Sequence, residues 1–253
     1  MKIASASFAE GAFIAPEFAY GRIGENGATE RSENRNPELH WTDVPEGTKS
    51  FVVLCLDDDV PTDRQTKMGD GLLSVTQPRR RFVHWVQANI PAEVESIPEG
   101  FLTGDQKRNG AFGRPGVNDY VGNATPGPDG TGLGYDGPCP PFFDARWHYY
   151  RFSVLALDCE LADLPEEFRL ADVEERIAGH VLATAETVPL HAQSRARELR
   201  HKPVGPLSEG LGKRAFSKGG EPCLTETTRL SAATRRCSLP SSGSAAVRKT
   251  TSK

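Results

Sequence analysis

The sequence predicts a mainly β fold with one helix near the end of an ordered body, and three observations carry that prediction. Phe51-Val52-Val53-Leu54-Cys55-Leu56 is a continuous, β-rich apolar run, the pattern of a central strand buried on both faces. Phe82 to Ile90 and His148 to Leu157 alternate with period two, so each presents one apolar face. Asp172 to Thr187 is the one stretch with a convincing helical period.

The elements follow in order. Ile3 to Phe8 reads as a first strand and Pro37 to Trp41 as a short strand entering the fold, with a turn at Pro45-Glu46-Gly47-Thr48. The 51–56 run gives way to Asp57-Asp58-Asp59-Val60-Pro61. Three carboxylates there are costly unless solvated, paired or hydrogen-bonded, and taken alone they read as a solvated turn. Residues 62–81 are polar, end in Arg79-Arg80-Arg81, and predict a mobile, solvated loop. In the next strand Phe82, His84, Val86, Ala88 and Ile90 share a face, and His84 alone reads as a satisfied core histidine. Residues 91–133 predict mostly loop, long enough to be functional or disordered.

Gly137-Pro138-Cys139-Pro140-Pro141 is a stiff turn, because proline fixes φ and removes a donor. It feeds a strand in which His148, Tyr150, Phe152, Val154 and Ala156 share one face. For the helix, Asp172 is the expected cap with Glu175 three residues on. Val173, Ile177, Ala178, Val181, Leu182 and Ala185 form the expected buried stripe, and Pro189 is the stop.

Composition separates two regions. Residues 1–188 hold 17 Lys+Arg against 30 Asp+Glu, a net charge of −13, while residues 189–253 hold 13 against 4, a net of +9. The acidic body has no basic stripe for nucleic acid. After Pro189 the apolar residues are scattered and no period holds, which predicts a disordered basic tail with short helical pieces near 192–200. The expected domain is therefore 1–188 and the tail 189–253. The five cysteines form no CxxC pair and no metal-type spacing, so neither a metal site nor a cofactor is expected. Residues 1–18 lack the apolar run of a signal peptide, and no stretch has membrane-spanning length. A soluble, reduced, cytoplasmic protein is the expectation.

If the strand ends converge, Asp57, Asp59, His84, Gly137, Pro138, His148 and Tyr150 make a small polar pocket with an apolar floor. Histidines and the backbone N–H groups of a glycine turn would favour an anion such as phosphate. The carboxylates would orient the imidazoles or accept from an amine on the ligand.

Several segments resemble the phosphatidylethanolamine-binding protein family in its bacterial, Raf-kinase-inhibitor-like branch. Asp57-Asp58-Asp59-Val60-Pro61 is close to its D-P-D-x-P, and Phe82 to Pro91 is close to its H-W-V-x-x-N-I-P segment. Asn118-Asp119-Tyr120, Gly134 to Pro141, His148 to Asp158 and Ala178 to Ala183 follow in family order. The resemblance covers Met1 to Val188; the G-Y-x-G-P-C-P-P and H-x-Y-x-F-x-x-x-A-L-D pair is its specific part. It implies an antiparallel Greek-key β-sandwich with a C-terminal helix, and an anion pocket at the sheet ends. Carried over by motif, the ligand-binding residues are Asp57, Asp59, Pro61, His84, Gly137, Pro138, His148 and Tyr150, with no catalytic residue.

The expected function is binding of a small anionic or phosphorylated ligand, with regulation of a protein partner. The alternatives are a kinase or protease inhibitor acting through loops 62–81 and 113–133, and a hydrolase using the Asp/His pocket. Two departures from the family stand out. Asp58 replaces its middle proline, and from Pro189 the text leaves the expected G-T-Y strand. That loss of pattern suggests a tail foreign to the family, of the kind a reading-frame change leaves. A genuine basic tail would instead contact a partner or nucleic acid.

Overall fold

The structure, a computed structural model, describes residues 1–25, 28–108, 110–121 and 132–191. The expected disorder and short helices beyond residue 191 lie outside the described residues. The strands are β1 (Lys2–Ala4), β2 (Gly21–Ile23), β3 (Thr29–Arg31), β4 (Leu39–Thr42), β5 (Ser50–Pro61), β6 (Arg79–Pro91), β7 (Ser96–Ile97), β8 (Arg114–Pro115), β9 (His148–Leu157), β10 (Val181–Thr187) and β11 (Leu190–His191). The one α-helix among the described residues is α1 (Leu170–Arg176).

The architecture is the expected antiparallel β-sandwich. The larger sheet runs β10-β9-β5-β6-β8, with β11 also paired to β9; the smaller runs β1-β4-β7, and β2 and β3 form a separate ribbon. β5 and β6 pair in sequence, and β9 returns after a long excursion to the other side of β5, a Greek-key connection. The apolar 51–56 run therefore occupies the central strand. Its alternate residues feed two cores. Phe51, Val53 and Cys55 pack with Leu39, Trp41 and Ile97 of the smaller sheet, while Val52, Leu54 and Leu56 pack with Leu164, Phe168 and Val173 on the helix side. Tyr150, Phe152, Val154 and Ala156 of β9 share the inter-sheet core, as their alternation predicts. Burying each large apolar side chain contributes on the order of 1.5–3 kcal/mol.

Four expectations are corrected. First, the helix expected over Asp172–Thr187 is only α1. Arg169 is the N-cap and Asp172 lies at the third position, where its carboxylate accepts the Arg169 N–H at 2.8 Å. Gly179 takes φ +84, which ends the helical path. Val181–Thr187 then pairs with β9 from Leu157 to Phe152, burying Ala185 and Thr187 and exposing Thr184 and Glu186. Second, Asp57–Pro61 is strand, not turn. Asp57 and Asp59 are buried and Asp58 alone among the three is exposed. Third, Arg79–Arg81 belong to β6 rather than to a loop, and within the preceding loop Leu72 and Leu73 are buried. Fourth, the first strand is Lys2–Ala4, shorter than Ile3–Phe8.

Strict alternation in β6 also fails, for a physical reason. Cys55 pairs with Trp85 and Leu56 with Val83, so His84 is an extra residue, a β-bulge. Val83 and Val86 both face the helix side, while Trp85 faces the inter-sheet core. A second irregularity lies between Gln87 and Ile90, where Asn89 takes φ +54 and its side chain pairs with the Leu161 backbone at 2.8 and 3.0 Å. At the other end of the chain, the larger sheet continues past residue 188, because Leu190 pairs with Tyr149 and His191 with His148.

Candidate functional site

A cavity of ≈ 410 Å³ opens where the ends of β5, β6 and β9 meet the β2–β3 ribbon. Tyr20, Asp57, Phe82, His84, Tyr120, His148 and Tyr150 form its buried wall. The exposed residues Thr29, Glu30, Arg31 and Arg64 line it too and mark its rim. Pro140, Pro141 and Cys139 complete one side.

Of the residues nominated from sequence, Asp57, His84, His148 and Tyr150 line the cavity directly. Register explains the grouping: Asp57 on β5 pairs with Tyr150 on β9 and Phe82 on β6. Asp59, Pro61, Gly137 and Pro138 are not among the lining residues, and each has a bracing contact. The Asp59 carboxylate accepts from Arg146 Nε at 2.7 Å and the Tyr149 N–H at 3.2 Å. Pro61 ends β5 opposite Arg79. The Gly137 N–H, expected to face an anion, instead donates to Asn34 Oδ1 at 2.8 Å. A Cβ on Gly137 would stand 1.9 Å from the Phe18 carbonyl oxygen, so glycine is needed for that close backbone approach. The Pro138 carbonyl accepts from the Tyr20 N–H at 2.9 Å and so fixes the start of the ribbon.

The two histidines differ in charge. His148 has both ring nitrogens engaged: Nδ1 is 2.6 Å from Asp57 Oδ2 and Nε2 is 3.2 Å from Asp144 Oδ2. Burial alone would lower its pKa, but the Asp144 and Asp57 carboxylates override this and raise it to about 9. His148 is thus an imidazolium at neutral pH. Asp144 also takes a two-pronged contact from the buried Arg79 guanidinium, which in turn donates to the Asp59 and Ser74 carbonyls at 2.8 and 3.0 Å. Burial works against the charged form of Asp144, yet His148 and Arg79 hold its pKa below the ordinary value. The result is a buried line of alternating charge, Asp57–His148–Asp144–Arg79.

His84 is neutral. Burial lowers its pKa, only partly opposed by Asp57. Its Nδ1–H donates to the Asp136 carbonyl at 2.7 Å, which fixes the tautomer with Nε2 as the unprotonated nitrogen. Three rings confine it: Phe82, Tyr150 and Tyr120, with centroids 4.8, 5.0 and 5.6 Å away. Asp136 is itself fully buried and anchored by Asn34, Asn118 and Lys107 at 2.8, 2.7 and 3.1 Å. The positioning residues Asp144, Arg79, Arg146, Asn34 and Lys107 gave no signal in the sequence. Tyr120 and Asp136 lay inside recognised segments, but nothing marked their roles.

A sequence model of the phosphatidylethanolamine-binding protein family matches residues 4–191. The chain belongs to the phosphatidylethanolamine-binding protein family. The match ends with β11, the last described strand. Among curated relatives in the family, the Escherichia coli K12 UPF0098 protein YbhB is 34% identical over 185 residues, covering 73% of this chain and 96% of the relative. An Aquifex aeolicus UPF0098 protein is 33% identical over 157 residues, covering 62% of this chain and 73% of the relative. The crystal structure of E. coli YbcL, described as a new member of the mammalian PEBP family, superposes with a TM-score of 0.57 at 28% identity, covering 76% of this chain and 97% of YbcL. The Chlamydia trachomatis homologue CT736 gives 0.53 at 26% identity, covering 75% and 95%. No helix among the described residues is long and apolar enough to cross a membrane.

Proposed function

We propose that this family member binds a small phosphorylated or otherwise anionic head group in the cavity, and through it regulates a protein partner. The observation that carries this reading is the His84 ring on the cavity wall: its Nδ1–H is held by the Asp136 carbonyl, so Nε2, protonated as an anion arrives, becomes the donor to it, with the cationic His148 on the same wall. Arg31 and Arg64 at the rim add positive charge, and Glu30 beside them suits an amine on the same ligand. A hydrolytic role has less support. The Cys139 thiol lines the cavity, but burial pushes its pKa to about 11, so it stays protonated and a weak nucleophile.

Titration calorimetry of the full chain with phosphoethanolamine tests the reading. Binding to the parent and at least about tenfold weaker binding to His84→Ala are expected, since a lost charge-assisted hydrogen bond costs about 1.5–3 kcal/mol. Equal affinity for the two proteins would overturn it. The partner arm has its own observation: the loop that carries Arg64 also exposes Met68 and Val75. Replacing these two exposed side chains (Met68→Ser/Val75→Ser) should weaken contact with a kinase or protease partner while leaving head-group affinity intact.

A further inference from the structure

We propose that Asp158, Cys159 and His180 form a zinc site with three protein ligands and an open fourth position. The residues meet where β9 ends and β10 begins. Asp158 and Cys159 follow Leu157, the last residue of β9, and His180 precedes Val181, the first of β10. Val181 pairs with Leu157, and the Asp158 N–H donates to the His180 carbonyl at 3.1 Å, so the two backbones are already joined. Their ligand atoms, one carboxylate oxygen, one thiol sulfur and one imidazole nitrogen, all lie within 4.8 Å of one another. Asp158 Oδ1 and His180 Nδ1 are 2.8 Å apart.

Ligands around a tetrahedral zinc stand about 3.3–3.8 Å from each other, so side-chain rotations of roughly 1 Å close the site. The side chains of Asp158 and His180 are half exposed and free to make them. The backbone, by contrast, is pinned: Ser50 Oγ donates to the Cys159 carbonyl at 2.6 Å, and the His180 N–H donates to the Ile177 carbonyl at 2.9 Å. A thiolate with an imidazole and a carboxylate favours zinc over magnesium or calcium, which prefer all-oxygen shells. The exposed Lys49 ammonium is the nearby cation whose field reaches Cys159, and its flexible stem can move away as the ion enters. The site is separate from the cavity: β9 carries His148 at one end and leads into Asp158 at the other, about 30 Å away at the strand rise. It stands or falls independently of the head-group reading.

The test uses the full, reduced, metal-stripped chain titrated with Co²⁺ and then Zn²⁺. One equivalent of Co²⁺ should develop a thiolate charge-transfer band that Zn²⁺ abolishes by displacement and Mg²⁺ leaves unchanged. Cys159→Ser should lose the band, and His180→Gln should bind Zn²⁺ at least about tenfold more weakly, the scale of a perturbed metal shell. The double variant Cys223→Ser/Cys237→Ser should keep both properties. Near-ultraviolet circular dichroism checks that each variant is folded. A band that survives Cys159→Ser, or a parent chain that takes up no Zn²⁺, overturns the proposal.

Discussion

His148 on β9 and Asp57 on β5 face each other across 2.6 Å, and each side chain is only 1% exposed. Neither charge reaches bulk water, so each depends on the other and on Asp144 behind the ring. Four charged side chains from two strands, a strand start and a loop thereby fix one wall of the cavity before any ligand arrives.

That arrangement makes stability depend on pH in a defined direction. The folded pKa of His148 is raised from an ordinary 6.5 to about 9. Its contribution is therefore fully present below the unfolded value and is lost as pH rises through about 9. Urea midpoints should fall between neutral pH and that value, and His148→Asn should flatten this part of the profile. A parent profile already flat there would contradict the assignment.

Arg79 is the outer member of the line, and its loss removes the two-pronged partner of the buried Asp144 carboxylate, leaving His148 as its one charged contact among the described residues. Arg79→Met should destabilise the protein by about 3–5 kcal/mol, the cost of breaking a buried ion pair from one side. Chemical denaturation measures this directly. A loss below about 1 kcal/mol would mean that the pair behaves like a surface salt bridge.

Anion binding should take up a proton. His84 is neutral in the free protein because burial lowers its pKa, and an anion beside Nε2 would favour the protonated ring. Calorimetric binding enthalpies at about pH 7 should then vary with the ionisation enthalpy of the buffer, with a positive proton count. Affinity should rise as the solution is acidified toward the ordinary histidine range. Enthalpies identical across buffers would assign the interaction to other donors.

Gly137→Ala should cost about 3 kcal/mol or more, because the added methyl meets backbone rather than a movable side chain. Thermal unfolding reads the loss. A variant as stable as the parent would show that the Phe18 segment can yield.

The parts of the fold that the sequence made visible are those whose pattern admits one period. The 51–56 run is short and rich in β-branched and aromatic residues, the stretch from His148 to Leu157 alternates with period two, and the structure places both as strands. Ala178 to Ala185 is different. Its small and apolar residues satisfy a helical stripe and a strand alternation alike, and what decides between them is pairing with β9, a tertiary fact. The same division holds in the cavity. A histidine on an apolar strand face is conspicuous, so His84 and His148 could be nominated. Asp144 and Arg146 lie between Phe143 and Trp147 in a segment with no strand or helix period to say where they point, and Arg79 belongs to an arginine run, where one more charge is unremarkable. The Gly137 turn was visible as rigid, but not which way its N–H points, since Asn34 is remote in sequence.

The bulge at His84 has a consequence for how this site can be lost. Deleting one residue there would remove the register shift between the Cys55–Trp85 and Leu56–Val83 pairs and make that part of the sheet more regular. It would also take the His84 ring off the cavity wall. Regular pairing at this point and a His84 ring held among Phe82, Tyr120 and Tyr150 are thus mutually exclusive.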